Sequence, residues 1–329
     1  MHVPTRRIGS YGLEVGSIGL GCMSMTGVYD VDQRQDERSE QTIARAVDLG
    51  VTLIDTADAY GPFTNELLVG RALRGRRENA VISTKVGLVG RSDGHLLRNA
   101  KPDHIISGAE ASIRRMNCDH LDLFVLHSPD PEVNIYESWD AMASLVTAGK
   151  VRSLGIMTDD VRLVAALQQR FPITAVLTEY SLWEQGNAEM VRWCGDRGIG
   201  LLATSPLGRG FLTGTLNPGR KFAWTDLRSK LTRFTAESLA ASGDYLELLR
   251  SVAQRQRATP GQVALAWLLA QGDHIVPLAG TKQPLHLDEN ARSAEIALTD
   301  LDLRQLAGED VSDELAELAE SDRPSVSAM

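Results

Sequence analysis

The chain alternates between two patterns: a short run of β-branched and other apolar residues, then a longer stretch with apolar positions at helical spacing. "SIGLGCM" (Ser17–Met23) is followed by "QTIARAVDLG", with Gly50 as a helix stop. The strand Val51–Asp55 precedes "NELLVGRAL", "AVISTKV" (Ala80–Val86) precedes a helix opening at Pro102, and "LDLFVLH" (Leu121–His127) precedes "YESWDAMASLVTAG". "VRSLGIM" is backed by "VRLVAALQQR", and "ITAVLTEY" by "AEMVRWCGDRG". "IGLLATS" runs into an irregular stretch from Pro206 to about Ala236 before helix resumes. "PGQVALAWLLAQG" is a strong helix with Pro260 at its start, and "HIVPLAG" (His274–Gly280) is the eighth strand.

Eight near-continuously apolar strands, each backed by a helix, predict an α/β fold closed into a parallel (β/α)8 TIM barrel. An open doubly wound sheet would usually carry a G-x-G-x-x-G turn after its first strand, and "GLGCMS" has only the first two glycines. Typical domain sizes would split 329 residues in two, but a barrel uses ~250 residues in one domain. With no linker, low-complexity tract or repeat, residues 1–329 are expected to form a single domain. Its tail, "LRQLAGEDVSDELAELAESDRPSVSAM", reads as one or two acidic helices and a frayed end.

Composition narrows the function classes. At 43% hydrophobic and 23% charged, the chain can build a sizeable soluble core. A net charge of −9 without a basic stripe argues against a nucleic-acid partner. No apolar run is long enough for a bilayer, and "MHVPTRRIGSYG" lacks the apolar core of a secretory signal, so a cytoplasmic location is expected. Cys22, Cys118 and Cys194 have no metal-ligand spacing; they read as reduced thiols, and no metal site is expected. The oligomeric state is not legible.

In a barrel of this kind the active site lies where the strands end. The second strand ends at Asp55, the third near Lys85 and the fourth at His127, with Tyr60 on the loop after Asp55. A lone buried carboxylate is costly, so Lys85 is the expected partner of Asp55. A tyrosine with pKa ~10 exchanges protons slowly at neutral pH, and a nearby ammonium lowers that value. His127 can donate a hydrogen bond to a carbonyl oxygen. Such a set would polarise and protonate a carbonyl, general acid catalysis worth ~10²–10⁴-fold. A purely structural reading remains open for each residue alone: an ion pair, a loop anchor, a satisfied imidazole. Four such residues at three successive strand ends weigh against it.

The chain resembles the aldo-keto reductases. "GLGCM", "DTADAYG", "STKVG", "LDLFVLHSPD", "EYSLW", "SPLGRGFLTG" and "GTKQPLHLDEN" follow that family's motifs in the family's order, from about Arg7 to Asn290. The resemblance implies a (β/α)8 barrel with an N-terminal β-hairpin plugging its base. It also implies a catalytic tetrad of Asp55, Tyr60, Lys85 and His127, with Tyr60 as proton donor. It further implies NADP(H) lying extended across the barrel mouth and a small carbonyl compound, aldehyde or ketone, as substrate. Around the cofactor it places Gly21, Cys22 and Met23, Thr158, the turn with Ser205, Leu207, Gly208 and Arg209, and a final segment with Gly280, Thr281, Lys282, His286, Glu289 and Asn290. The turn can face a pyrophosphate with its backbone N–H groups, and Lys282 suits the adenosine 2′-phosphate.

The resemblance also exposes departures. The family usually holds the nicotinamide carboxamide with a Ser-Asn pair after strand five and a Gln on strand six, and stacks an aromatic ring from strand seven. Here those positions are Met157 and Thr158, Leu177, and Thr204. A loosely held nicotinamide is therefore expected. The segment Pro218–Phe234 could fold over the phosphates as a belt or equally be a mobile loop with Trp224 merely its anchor, and Tyr29 and Trp183 could line the cleft or serve core or rim packing. Two other functions stay open: a cofactor-binding sensor with little turnover, and redox-neutral isomerisation or dehydration on the same four residues.

Overall fold

The computed structural model describes residues 2–9, 12–29, 34–90, 96–217 and 219–311. An antiparallel hairpin comes first, β1 (Thr5–Ile8) with β2 (Leu13–Gly16). Then β3 (Gly19–Gly21), α1 (Asp36–Asp48), β4 (Leu53–Asp55) and α2 (Thr64–Ala72) follow. After β5 (Val81–Val86) a second small hairpin, β6 (Leu88–Gly90) with β7 (Leu96–Arg98), stands off the strand end before α3 (Pro102–Met116). The alternation resumes with β8 (Leu121–Leu126), α4 (Ile135–Thr147), β9 (Val151–Met157), α5 (Val161–Arg170), β10 (Ala175–Glu179), α6 (Ala188–Gly195) and β11 (Gly200–Thr204). Two further helices, α7 (Ala236–Ala241) and α8 (Gly243–Arg255), precede α9 (Pro260–Ala270), β12 (Ile275–Gly280), α10 (Pro284–Arg292) and α11 (Asp300–Leu306).

Strands β3, β4, β5, β8, β9, β10, β11 and β12 close into a barrel in sequence order, every pair parallel. The predicted barrel and its hairpin are therefore present. Two apolar layers explain the unbroken hydrophobic strands. Leu53, Leu123, Val125, Leu177, Leu202 and Val276 pack with the hairpin's Ile8 and Val15 in one layer. A second, larger layer joins the outer strand faces to the helices. Gly200 is needed where the hairpin meets the barrel, because a Cβ there would lie 2.8 Å from that of Ile8. Helix α9 starts where Pro260 predicts, fixed by reciprocal bonds between Thr259 and Gln262.

The structure adds detail in three places. The β6–β7 hairpin was not foreseen, because its strands have three residues each and are partly or fully exposed, leaving no apolar period to read. The irregular stretch after β11 contains 3-10 turns at Gly208–Thr213, broken by a kink at Arg209 and Gly210, and at Leu227–Lys230 and Thr232–Phe234. The acidic tail contributes α11, and its remainder, 312–329, lies outside the described residues.

Candidate active site

Adjacent barrel strands bring the four candidate residues together. Asp55 closes β4, and Ser83 lies opposite it on β5. Lys85 Nζ donates to Asp55 Oδ2 and to the Thr56 carbonyl, both at 2.6 Å, and Ser83 Oγ donates to Asp55 Oδ1 at 2.8 Å. Asp55 is 4% exposed and Lys85 1%, so the pair lies out of water. Tyr60 is carried by a tight turn in which its N–H meets the Ala57 carbonyl and Gly61 adopts φ +57°. The Lys85 ammonium sits 4.9 Å from the Tyr60 ring centre and is hydrogen-bonded to that side chain. His127 follows β8 directly, its N–H on the Val86 carbonyl; its ring meets Tyr60 edge-on, centroids 5.8 Å apart.

Burial sets the electrostatics of this cluster. It pulls Lys85 down, but Asp55 and Tyr60 together more than offset it, so the ammonium is held above its ordinary value. Burial holds the Tyr60 phenol above its ordinary value, outweighing the opposing charge of Lys85. The expected net lowering of the tyrosine is thereby corrected: the ammonium acts in the expected direction, but desolvation is larger. Burial and the Lys85 charge push His127 down to about 3, leaving a neutral imidazole whose Nδ1 is buried without a partner among the described residues.

Sequence reasoning missed Asp58, two residues before Tyr60. It is 4% exposed, and its Oδ1 has no hydrogen-bond partner among the described residues. Burial, then the charge of Glu66, pushes it up to about 7, against Arg115, the Ala59 N–H and Lys85. Glu66 itself is enclosed but satisfied, taking Thr84 Oγ1 at 2.6 Å and Arg115 Nε at 2.5 Å. The available signal was the second acid inside "DTADAYG", with no obvious partner nearby in sequence.

Around the rest of the mouth, Gly21 pairs with Gly280 across the closing seam of the barrel. Met23 opens a single 3-10 turn beside it. Cys22 is enclosed: its thiol is fully buried, its N–H is on the Asp55 carbonyl, and its own carbonyl accepts from Met25 N and Asn65 Nδ2. In the turn after β11, Leu207 (φ −100°, ψ 17°) is followed by left-handed Gly208, Arg209 and Gly210. A right-handed then left-handed pair has the backbone shape of an anion-binding concavity, with the Gly208 N–H itself donated to the Ser205 carbonyl at 2.8 Å and the Gly210 N–H to the Leu207 carbonyl at 3.0 Å. Gly208 is required twice over: its φ is +55°, and a Cβ would lie 2.9 Å from the ring of Trp183. That ring stacks on Phe211 at 4.0 Å. The Arg209 guanidinium is clamped bidentately on Glu179, both bonds 2.9 Å.

Past β12, Thr281 is buried, and its hydroxyl accepts the Gln283 N–H at 3.1 Å. Lys282 and Gln283 are half-buried at the start of α10, and His286, Glu289 and Asn290 share a helix face by their spacing. Leu227 N–H bonds the Val28 carbonyl at 3.0 Å, so the segment after β11 reaches the loop after β3, as a belt would. Tyr29 lies under Arg228 of that segment, 4.9 Å away. Trp224 is 82% exposed and anchors nothing, contrary to expectation. On the opposite arc Leu177 is fully enclosed in the barrel's inner layer, with Met157 packed against it. Thr158 Oγ1 accepts the Asp160 N–H at 3.2 Å, and Thr204 is half-buried.

Comparison with known proteins places this geometry. A model of the aldo/keto reductase family matches residues 17–309. A probable aldo-keto reductase 1 from Glycine max is 36% identical over 91% of this chain and 87% of its own length. The aldo-keto reductase yakc of Schizosaccharomyces pombe, whose name carries NADP(+), is 33% identical over 93% of this chain and 91% of its own. The glycerol dehydrogenase of Gluconobacter oxydans superposes with a TM-score of 0.84 at 27% identity, covering 92% of this chain and 94% of that one. The chain belongs to the aldo/keto reductase family.

Proposed function

We propose that the protein is an NADPH-dependent oxidoreductase that reduces the carbonyl of an aldehyde or ketone, with Tyr60 as general acid. The observation that carries this reading is the buried Lys85, bonded at once to Asp55 and Tyr60 beside a neutral imidazole. Asp55 keeps the ammonium charged out of water. Lys85 steadies the phenolate left after proton transfer, and His127 positions the substrate oxygen by donating a hydrogen bond. Burial holds the Tyr60 phenol in its protonated form at neutral pH, the form that a proton donor requires.

The residues present fit a phosphate-bearing dinucleotide. The Leu207–Gly208 concavity suits the pyrophosphate. Thr281 and Lys282 would hold the 2′-phosphate, and His286, Glu289 and Asn290 would border the adenine. NADPH, when bound, supplies the hydride. The enclosed, apolar Leu177 supports a loosely held nicotinamide, with slow reduction of simple aldehydes as the consequence. NADPH fluorescence titration followed by turnover against aldehydes and keto-sugars tests the whole reading. Binding without reduction of any of them would favour the sensor function instead, and product formation without net NADPH consumption a redox-neutral one. A Lys282→Ala variant is expected to lose roughly 10–150-fold in NADPH affinity relative to NADH; an unaltered ratio rejects the 2′-phosphate assignment.

A further inference from the structure

Arg38, in the first turn of α1, is placed unlike six other enclosed arginines. Arg77, Arg115, Arg209, Arg228, Arg233 and Arg255 each face a carboxylate. Arg38 is half-buried and makes no ion pair with a described residue. Its Nη1 donates to a neutral acceptor, Gln283 Oε1, at 3.0 Å, and its Nε is buried with no partner among the described residues. A guanidinium is always charged and presents a rigid fork of donors matched to carboxylate or phosphate. Half-burying one against an amide leaves both charge and donors uncompensated.

The uncompensated group has a definite address. Gln283 is the residue before α10, and its own N–H is tied to Thr281. Arg38 thus reaches from α1 onto the segment Thr281–Gln283, where the barrel closes β12 against β3. Asp36 and Glu40 flank it on α1, but both are engaged by Arg71, and Asp36 also by Arg34. Lys282 supplies a second cation at the same place, and the start of α10 adds its dipole.

We propose that Arg38 is a specificity-determining contact for the adenosine 2′-phosphate, completing from α1 the cationic site that Lys282 begins on α10. This rests on the proposed assignment of Lys282. A dianion between the two would satisfy the orphaned Nε and the net charge together. The 2′-hydroxyl of NADH would leave Arg38 on Gln283 and gain nothing from it.

Binding to the whole protein, read without turnover, tests this. Adenosine 2′,5′-bisphosphate, 5′-AMP, NADPH and NADH are titrated against wild type, Arg38→Met, Arg38→Lys and Lys282→Ala. Arg38→Met is expected to weaken the bisphosphate and NADPH about tenfold, leave 5′-AMP and NADH within about twofold, and flatten the salt dependence of NADPH binding. Arg38→Lys should recover part of the loss, since the charge returns without the fork. If Arg38→Met weakens all four ligands equally, the arginine is only a brace between helices and the proposal fails. If Lys282→Ala discriminates between the bisphosphate and 5′-AMP while Arg38→Met does not, Arg38 is excluded and Lys282 stands. If neither variant discriminates, the 2′-phosphate lies elsewhere and both assignments fall.

Discussion

The two halves of the barrel mouth are built on opposite terms. Along β4, β5 and β8 the strand ends carry Asp55, Lys85 and His127, and polar groups from neighbouring strands satisfy one another out of water. Along β9, β10 and β11 the inner layer is apolar through Met157, Leu177 and Leu202, and polar groups return only at the strand ends, where Glu179 is held by Arg209 and Arg233. Other polar groups of that arc turn away from the barrel: Thr178, Asp159 and Asn187 bond to each other beside α6. One half therefore holds its chemistry in a fixed arrangement of protein groups. The other offers a surface on which a ligand is located by shape and by contacts made elsewhere. The difference suggests that proton transfer is preorganised here more strongly than the ring that would deliver hydride.

Breaking the polar half should give the largest effects. Lys85→Met leaves Asp55 as a buried unpaired charge, at a cost of roughly 3–5 kcal/mol. Urea unfolding should show that loss directly, and a midpoint equal to wild type would mean that the pair is solvated. Tyr60→Phe keeps the packing and removes the proton donor. Turnover should fall on the order of 10²-fold or more, with NADPH affinity nearly unchanged; near-normal turnover would remove Tyr60 from its role.

The apolar half gives a smaller and two-signed result. Leu177→Gln places an amide in the enclosed inner layer, which should destabilise the fold by about 1–3 kcal/mol. If a carboxamide contact is what this arc lacks, the triple variant Met157→Ser, Thr158→Asn, Leu177→Gln should bind NADPH more tightly despite that loss. If wild type already reduces simple aldehydes at ordinary family rates and the triple variant neither tightens NADPH nor speeds reduction, the contrast between the halves has no functional meaning.

A further effect concerns pH. Asp58, with a folded pKa pushed up to about 7, binds its proton more tightly when folded than unfolded. Its contribution is full below the ordinary carboxylate value and is lost as pH rises through about 7. His127, pushed down to about 3, acts in the opposite sense: it favours the fold above the ordinary imidazole value and loses that contribution as pH falls. Asp58→Asn should therefore gain stability relative to wild type between pH 5 and pH 8, read as unfolding midpoints. A constant difference across that range would show that Asp58 is ionised throughout.

How far this was legible in sequence follows from how local each signal is. The barrel could be read because every strand is covered on both faces and shows it within a few residues. Asp55, Lys85 and His127 could be read because an ionisable residue at an apolar strand's end is conspicuous. Gln283 and Arg38 are 245 residues apart, and only the closure of the barrel makes them neighbours. The bonding of Cys22 to Asn65 and Met25, and the clamp of Arg209 on Glu179, are likewise products of folding that no spacing announces. Trp224 misled because a tryptophan in a polar loop suggests an anchor, whereas its ring faces solvent.

The hairpin that plugs the barrel has a consequence for how the chain reaches this state. Arg6 of β1 donates to the carbonyls of Leu269, Gly272 and Ile275, and β3 finds one of its two barrel neighbours only in β12. The strands made earliest are thus completed by some of those made last. During synthesis Ile8 and Val15 have no barrel to fill, and one edge of β3 stays open to pairing with other chains. Closing so long a loop adds little to the equilibrium cost, but it places the decisive contacts at the far end of the sequence and slows folding. A nascent chain stalled before β12 should be open to protease along its whole length, becoming resistant in a single step once Gly280 has cleared the ribosome.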